Sequence, residues 1–314
     1  MTTARNTLTR AIDALIAAQP PRAGSLVVTL FGDAISTQGG SVWLGSLIAA
    51  LEPCGLNARQ IRTAVFRLGQ EGWLESEQRG RRSFYRYTEF GRRQYARAAE
   101  RIYAPGLPPW DGHWTLLTPL ALGAAARDEL RRRLGWQGFG LLAGGVLAHP
   151  WPNAAALAET LRELAIEGEV VVWQASTPAG PALHALVASG WRMDEAAARY
   201  RAFERAFRPF VRLLADGAAV TPLDSFRLRT LLIHEYRRIL LATTELPPAL
   251  LPDAWPGHAA RALTQILYRR VHAAASAWVS ANMHDHDGAL ATPQADYYVR
   301  FGGLAPTAAT ATAA

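Results

Sequence analysis

Residues 57–93 read NARQIRTAVFRLGQEGWLESEQRGRRSFYRYTEFGRR. The spacing predicts one amphipathic helix, a stop at Gly72, and two short strands over 73–78 and 83–88 joined by Arg79-Gly80-Arg81-Arg82. Asn57 is the expected N-cap. On a helix, Ile61, Ala64, Val65 and Leu68 share one side, while Arg59, Arg62, Thr63, Arg67 and Gln70 share the other. The first set is a core stripe. The second is either a solvated face or a surface that meets a nucleic-acid groove. Phe66 falls on the polar side and belongs to neither set; it either packs under the hairpin or reaches a thymine methyl or a sugar. Gly80 supplies the positive φ that a tight turn asks for. Three guanidiniums at one hairpin tip repel one another, and phosphates or a minor groove would neutralise them. A basic helix followed by a basic hairpin is the pattern of a winged helix-turn-helix.

Working outward, residues 25–35 are apolar enough for a buried first helix, 42–44 for a small strand and 44–51 for a second helix. Pro53-Cys54-Gly55 makes the turn before Asn57. Residues 4–18 add an amphipathic helix that Pro20 and Pro21 end. Residues 88–104 form a connecting helix, and Pro105-Gly106-Leu107-Pro108-Pro109 is the clearest linker. Residues 1–104 are thus expected to be a winged-helix DNA-binding domain. Charge agrees: residues 1–101 hold fourteen arginines against eight acids, whereas 102–314 hold nineteen against eighteen. A polyanion partner suits the first segment and not the second. All 33 basic residues are arginine, which base composition of the genome explains without reference to function.

Downstream the order changes. A strand over 114–117, a helix over 124–134, short strands over 138–142 and 145–149, a helix from Asn153 to Ile166 and a strand over 169–174 give the β-α-β-β-α-β order of a ferredoxin-like domain, 105–181. Residues 182–303 read as helices: 182–189, 193–214, 224–243 and 257–282. They are expected to form a helical domain for ligand binding or dimerisation. The low-complexity tail, 304–314, is expected to be disordered. The fold class is therefore α+β. One cysteine, Cys54, excludes a disulfide framework. The uncharged stretch 134–158 is long enough to span a bilayer, but its five glycines, Gln137, His149, Asn153 and two prolines argue against a membrane helix. No convincing export signal precedes it, so a cytoplasmic location is expected.

Three stretches, SLVVTLFGDAI…GGSVWLGSLI (25–48), the helix–hairpin segment 57–88 and LPPALLPDAWPGHAA (246–260), resemble the PaaX family of bacterial transcriptional repressors. With the central β-α-β-β-α-β pattern, the resemblance covers about residues 22–280. It implies a homodimeric repressor that binds operator DNA through its winged helix. It also implies release by a coenzyme A thioester, phenylacetyl-CoA in the founding member, and control of an aromatic, phenylacetate-type catabolic operon. The middle domain resembles small ferredoxin-like CRISPR-associated nucleases, but Asp111 is the one acid near its first strand, so no catalysis is expected.

The expected DNA contacts are Arg59, Arg62, Thr63 and Arg67 in a major groove, with Arg79, Arg81 and Arg82 on backbone or minor groove. For the thioester, Arg237 or Arg238 beside His234 would pair with phosphates, unless they form an ion-paired helix face. Trp255 and His258 precede or open a helix whose N-terminus suits an anion, unless they form a packing corner. His284, Asp285, His286 and Asp287 are four metal-type side chains in a row, read as a surface loop; no metal or other cofactor is expected. Neither a GxSxG, a Walker loop nor a GxGxxG stands in strand–helix context, so an enzyme is not expected. An enzyme acting on CoA thioesters or nucleic acid, and a winged-helix protein-interaction module, are the alternatives.

Overall fold

The computed structural model describes residues 7–107, 109–177 and 180–304. It divides into two compact units. The first comprises 1–105, 202–237 and 259–314; the second comprises 106–201 and 238–258. The linker at Pro105-Gly106 marks one edge between them. The helical stretch expected as a third domain, 182–303, is instead shared between the two units. The expected disordered tail lies outside the described residues from 305 onward, and so do residues 4–6 of the first expected helix.

The first unit begins with α1 (Thr7–Ala18), α2 (Ala23–Asp33), β1 (Ser41–Trp43), α3 (Leu44–Leu51), α4 (Ala58–Gln70), β2 (Leu74–Arg79), β3 (Arg82–Tyr87) and α5 (Glu89–Ile102). Its three strands form an antiparallel sheet in the order β1-β3-β2. Almost the whole of α2 is buried, which its apolar sequence AGSLVVTLFGD requires. Gly32 is needed on that helix because the Tyr95 ring lies where a Cβ would stand, 1.8 Å away. The hydroxyl of Tyr87, at the end of β3, donates to the Val28 carbonyl at 2.7 Å and ties the hairpin to α2.

The second unit contains β4 (His113–Pro119), α6 (Ala124–Trp136), β5 (Gly140–Leu141), β6 (Leu147–His149), α7 (Ala154–Glu163), β7 (Val170–Ser176) and α8 (Pro181–Gly190). Its antiparallel sheet has the order β5-β6-β4-β7, the ferredoxin-like arrangement. One core joins Leu117, Leu147 and Val170 to Leu130 and Leu134 of α6 and Leu157 and Leu161 of α7. A second core sets Trp114, Ala148 and Trp191 against Leu246, Leu250 and Leu251. The helix expected to reach Ile166 stops at Glu163, and Ala165 turns left-handed at φ 54°.

Three long helices follow: α9 (Met193–Ala215), α10 (Pro222–Ala242) and α11 (Pro256–Asn282); short α12 (Ala295–Tyr298) comes last. In the first unit α10, α11 and the segment after α12 bring together a buried ionic cluster. Asp33, at the end of α2, is 1% exposed. Its Oδ1 accepts from the hydroxyls of Tyr103 (2.7 Å) and Tyr268 (2.9 Å) and lies 3.2 Å from Arg300, while Oδ2 lies 2.9 Å from Arg229 Nε. Arg229 is wholly buried and also donates to Ser276 Oγ at 2.7 Å. The Arg300 guanidinium sits 4.0 Å from the Tyr103 ring centre and donates to the backbone carbonyls of Asp33 and Gly32. Burial holds both phenols protonated, well above the ordinary tyrosine range.

One carboxylate thus balances two buried guanidiniums. Asp33→Asn leaves both without a counter-charge and should cost about 3–5 kcal/mol of stability, read as a lowered midpoint in urea unfolding. His272, beside this cluster on α11, is pushed down to about 4 by its burial and by the charge of Arg229. Its folded value lies below its ordinary value of 6.5, so the unfolded chain binds more protons between the two. Stability should therefore fall as pH drops from about 6.5 towards about 4, and His272→Gln should flatten that slope in thermal melts.

Candidate nucleic-acid interface

Helix α4 starts where Asn57 and Gln60 cap each other: Asn57 Oδ1 accepts from the Gln60 N–H, and Gln60 Oε1 from the Asn57 N–H, both at 2.9 Å. The cap sets the phase of the helix. Ile61, Ala64, Val65 and Leu68 are buried, and Arg59, Arg62, Thr63 and Arg67 are exposed. Both faces are as the spacing predicts. Phe66 is 67% exposed, so it does not pack under the hairpin. Between α4 and the first turn of α2 runs a groove of about 650 Å³, which Arg59, Thr63 and Arg67 line from one side and Arg22 and Gly24 from the other.

The hairpin is tighter than the sequence suggested. Arg79 and Arg82 pair across the strands, so the turn is Gly80 and Arg81 alone, with Gly80 at φ 60°. The three arginines are not the bare repelling cluster expected. Arg79 Nε donates to Glu77 Oε1 at 2.7 Å, which holds the Glu77 carboxyl below its ordinary range. Arg82 lies 4.7 Å over the Trp43 ring. Arg81 is exposed at the tip. Farther down, Arg86 Nε donates to Glu75 Oε1 at 2.7 Å. The strands alternate, so Glu75, Glu77 and Arg79 share a face with Phe84 and Arg86 across the pair.

That face rests on a segment more than 190 residues away in sequence. The Trp43 N–H donates to the His284 carbonyl at 2.8 Å, and the His284 N–H to Ser46 Oγ at 3.1 Å. His286 meets Phe84 edge-on at 6.1 Å, and Phe84 is buried. Three of the four metal-type side chains, Asp285, His286 and Asp287, gather in the loop with their ligand atoms within 4.8 Å of one another, and hydrogen bonds hold them there. Asp285 Oδ1 accepts from the N–H groups of Asp287 (2.8 Å) and Gly288 (3.1 Å), and His286 Nε2 is 3.1 Å from Asp287 Oδ2. Trp43 is the residue that sequence reading missed. It both anchors the sheet to this loop and carries Arg82. Its ring needs Gly45, where a Cβ would stand 2.5 Å from the ring atoms.

The expected thioester set fares differently. His234 is 0% exposed, and its Nδ1 is 3.3 Å from Thr29 Oγ1. Arg237 donates to the Ser25 carbonyl and to Thr29 Oγ1, both at 3.0 Å. These two residues fasten α10 to α2: His234 is buried, and Arg237, half-buried, has oxygens of α2 as its partners. Arg238 and His258 are exposed. Trp255 is half-buried and packs against Tyr200, ring centres 6.0 Å apart, as a corner before α11. Asp111 accepts from the His113 N–H at 2.9 Å, so it closes a turn ahead of β4. Cys54 is buried, which pushes its thiol up to about 12 and leaves it inert.

Residues 22–91 match a family described as PaaX-like protein, 107–187 the PaaX protein central Cas2-like domain, and 191–281 the PaaX-like protein C-terminal domain. The transcriptional repressor PaaX of Escherichia coli strain K12 is 42% identical over 291 residues, covering 91% of this chain and 92% of that protein. A solved structure of an uncharacterised protein from Mycobacterium tuberculosis is 23% identical, with a TM-score of 0.48, over 80% of this chain and 98% of that one.

Trp43→Leu removes the ring that holds Arg82 but keeps an apolar side chain. It should weaken binding to any duplex DNA several-fold with little change in far-UV circular dichroism, measured by fluorescence anisotropy of a labelled duplex.

Proposed function

The chain belongs to the PaaX family of transcriptional repressors, and on that premise we propose that it represses by binding operator DNA through α4 and its hairpin, set as a winged helix. The exposed face of α4 carries this reading: Arg59, Arg62, Thr63 and Arg67 project together from a capped helix whose opposite side is locked in the core. Such a face enters a major groove, where guanidiniums pair with guanine edges. Phe66, exposed among them, is placed to meet a thymine methyl or a sugar. Arg81 at the tip would take a phosphate or a minor groove, with Arg79 and Arg82 held beside it by Glu77 and Trp43. The protein acts in the cytoplasm as a homodimer on a two-fold operator.

The signal in this reading is an aryl- or acyl-CoA thioester, and the target an aromatic, phenylacetate-type catabolic operon; family membership supports both. Of the residues considered for the thioester, Arg238 and His258 are the exposed ones and the candidates for its phosphates.

A labelled duplex from the region upstream of the chain's own gene tests the reading. Arg62→Ala should lose about 1–3 kcal/mol of specific binding if Arg62 reads a guanine, and wild-type affinity should fall steeply with salt. Unchanged affinity in the mutant removes Arg62 from the interface, and a flat salt profile removes the whole module. Phenylacetyl-CoA should raise the melting temperature of the free protein, since a ligand of the folded state stabilises it, and should release the duplex.

A further inference from the structure

The sheet of the second unit has two edges of opposite character. β5 is two residues long and is followed by Gly144 and Gly145 at φ 74° and 80°, so it presents almost no ladder. β7 pairs with β4 over seven consecutive residues, from His113↔Ser176 to Pro119↔Val170, and among the described residues no strand lies on its outer side. Folded proteins guard such edges with charge, proline, a bulge or brevity. The β7 sequence, VVVWQAS, has no charge and no proline, and its register with β4 is unbroken. Val172 is 45% exposed and Trp173 52%, and successive strand residues point to opposite faces, so the edge is apolar on both.

We propose that β7 is a self-association site, where two copies pair β7 against β7 in antiparallel register across a two-fold axis. Three observations commit the edge to a second copy. Antiparallel pairing of identical strands is self-complementary and closes at two; the free β5 edges are too short to continue the sheet. Glu167 and Glu169 stand just before β7. A two-fold centred at Trp173 sets Glu169 opposite the Thr177 of the other copy, and keeps directly opposed residues on the same face of the sheet. Parallel stacking would set it against its own equivalent, which like charges disfavour. Finally, an uncharged strand offers nothing to select a charged peptide. The same centring sets Trp173 against Trp173, an aromatic pair of the kind that stabilises adjacent strands, with Val172 opposite Gln174 on the other face.

This assignment goes beyond operator binding and is tested without DNA. Full-length protein should sediment as a dimer, and Val172→Lys as a monomer with unchanged circular dichroism. Cys54 is buried and inert, so single cysteines placed at 172, 173 or 174 should be selective cross-linkers. At least one should give a disulfide-linked dimer under mild oxidation. Wild-type protein that stays monomeric at every concentration overturns the proposal and leaves the edge to a different partner. A dimer in which none of the three cysteines cross-links overturns it too, whether or not Val172→Lys folds. Operator binding fails separately: a protein that cross-links through β7 yet retards no duplex keeps this interface and loses the repressor reading.

Discussion

Asp33 is the constraint on which the first unit depends. A carboxylate buried with two guanidiniums is tolerable only when each charge meets a counter-charge. Here the partners come from the first and last thirds of the chain: Asp33 from α2, Tyr103 after α5, Arg229 from α10, Tyr268 from α11 and Arg300 after α12. Each charge finds its counter-charge only if the others arrive. The cluster therefore fixes the position of α2, and α2 in turn carries Tyr87 of the hairpin through its Val28 carbonyl.

The surface of the module is governed by a milder electrostatic logic. Guanidiniums on an exposed hairpin would be costly side by side. The sequence intersperses acids at alternate strand positions, Glu75 and Glu77, on the same face as Arg79 and Arg86. An aromatic ring holds Arg82, and Arg81 stays exposed at the tip. Exposed ion pairs of this kind contribute little to stability. What they do is restrict where each guanidinium points, which would lower the ordering cost of meeting a polyanion.

The parts legible in the sequence were those set by local periodicity and local chemistry. The two faces of α4 follow from spacing, its start follows from Asn57, and the turn from Gly80. The central β-α-β-β-α-β order was readable because strands and helices alternate within a short span. What was not legible lies across long separations. No periodicity announces that Arg229 and Arg300 meet Asp33, or that His286 packs on Phe84. His234 and Arg237 look like polar decoration on a helix, yet they face Ser25 and Thr29 of α2. Nothing near Arg237 in the sequence points to its partner Ser25, 212 residues away. The same blindness hid Trp43, whose role needs both Arg82 and the His284 carbonyl.

The order in which the first unit acquires its parts bears on how it is made. Its opening 105 residues leave the ribosome long before Arg229, Tyr268 and Arg300 are synthesised. Until then Asp33 sits without its guanidiniums, and Phe84 lacks the loop that covers it. A nascent or prematurely terminated polypeptide accordingly has the whole α4 and hairpin sequence but not the support that rigidifies them. On the proposed reading, truncated products would for that reason be poor competitors for the DNA that the finished protein binds.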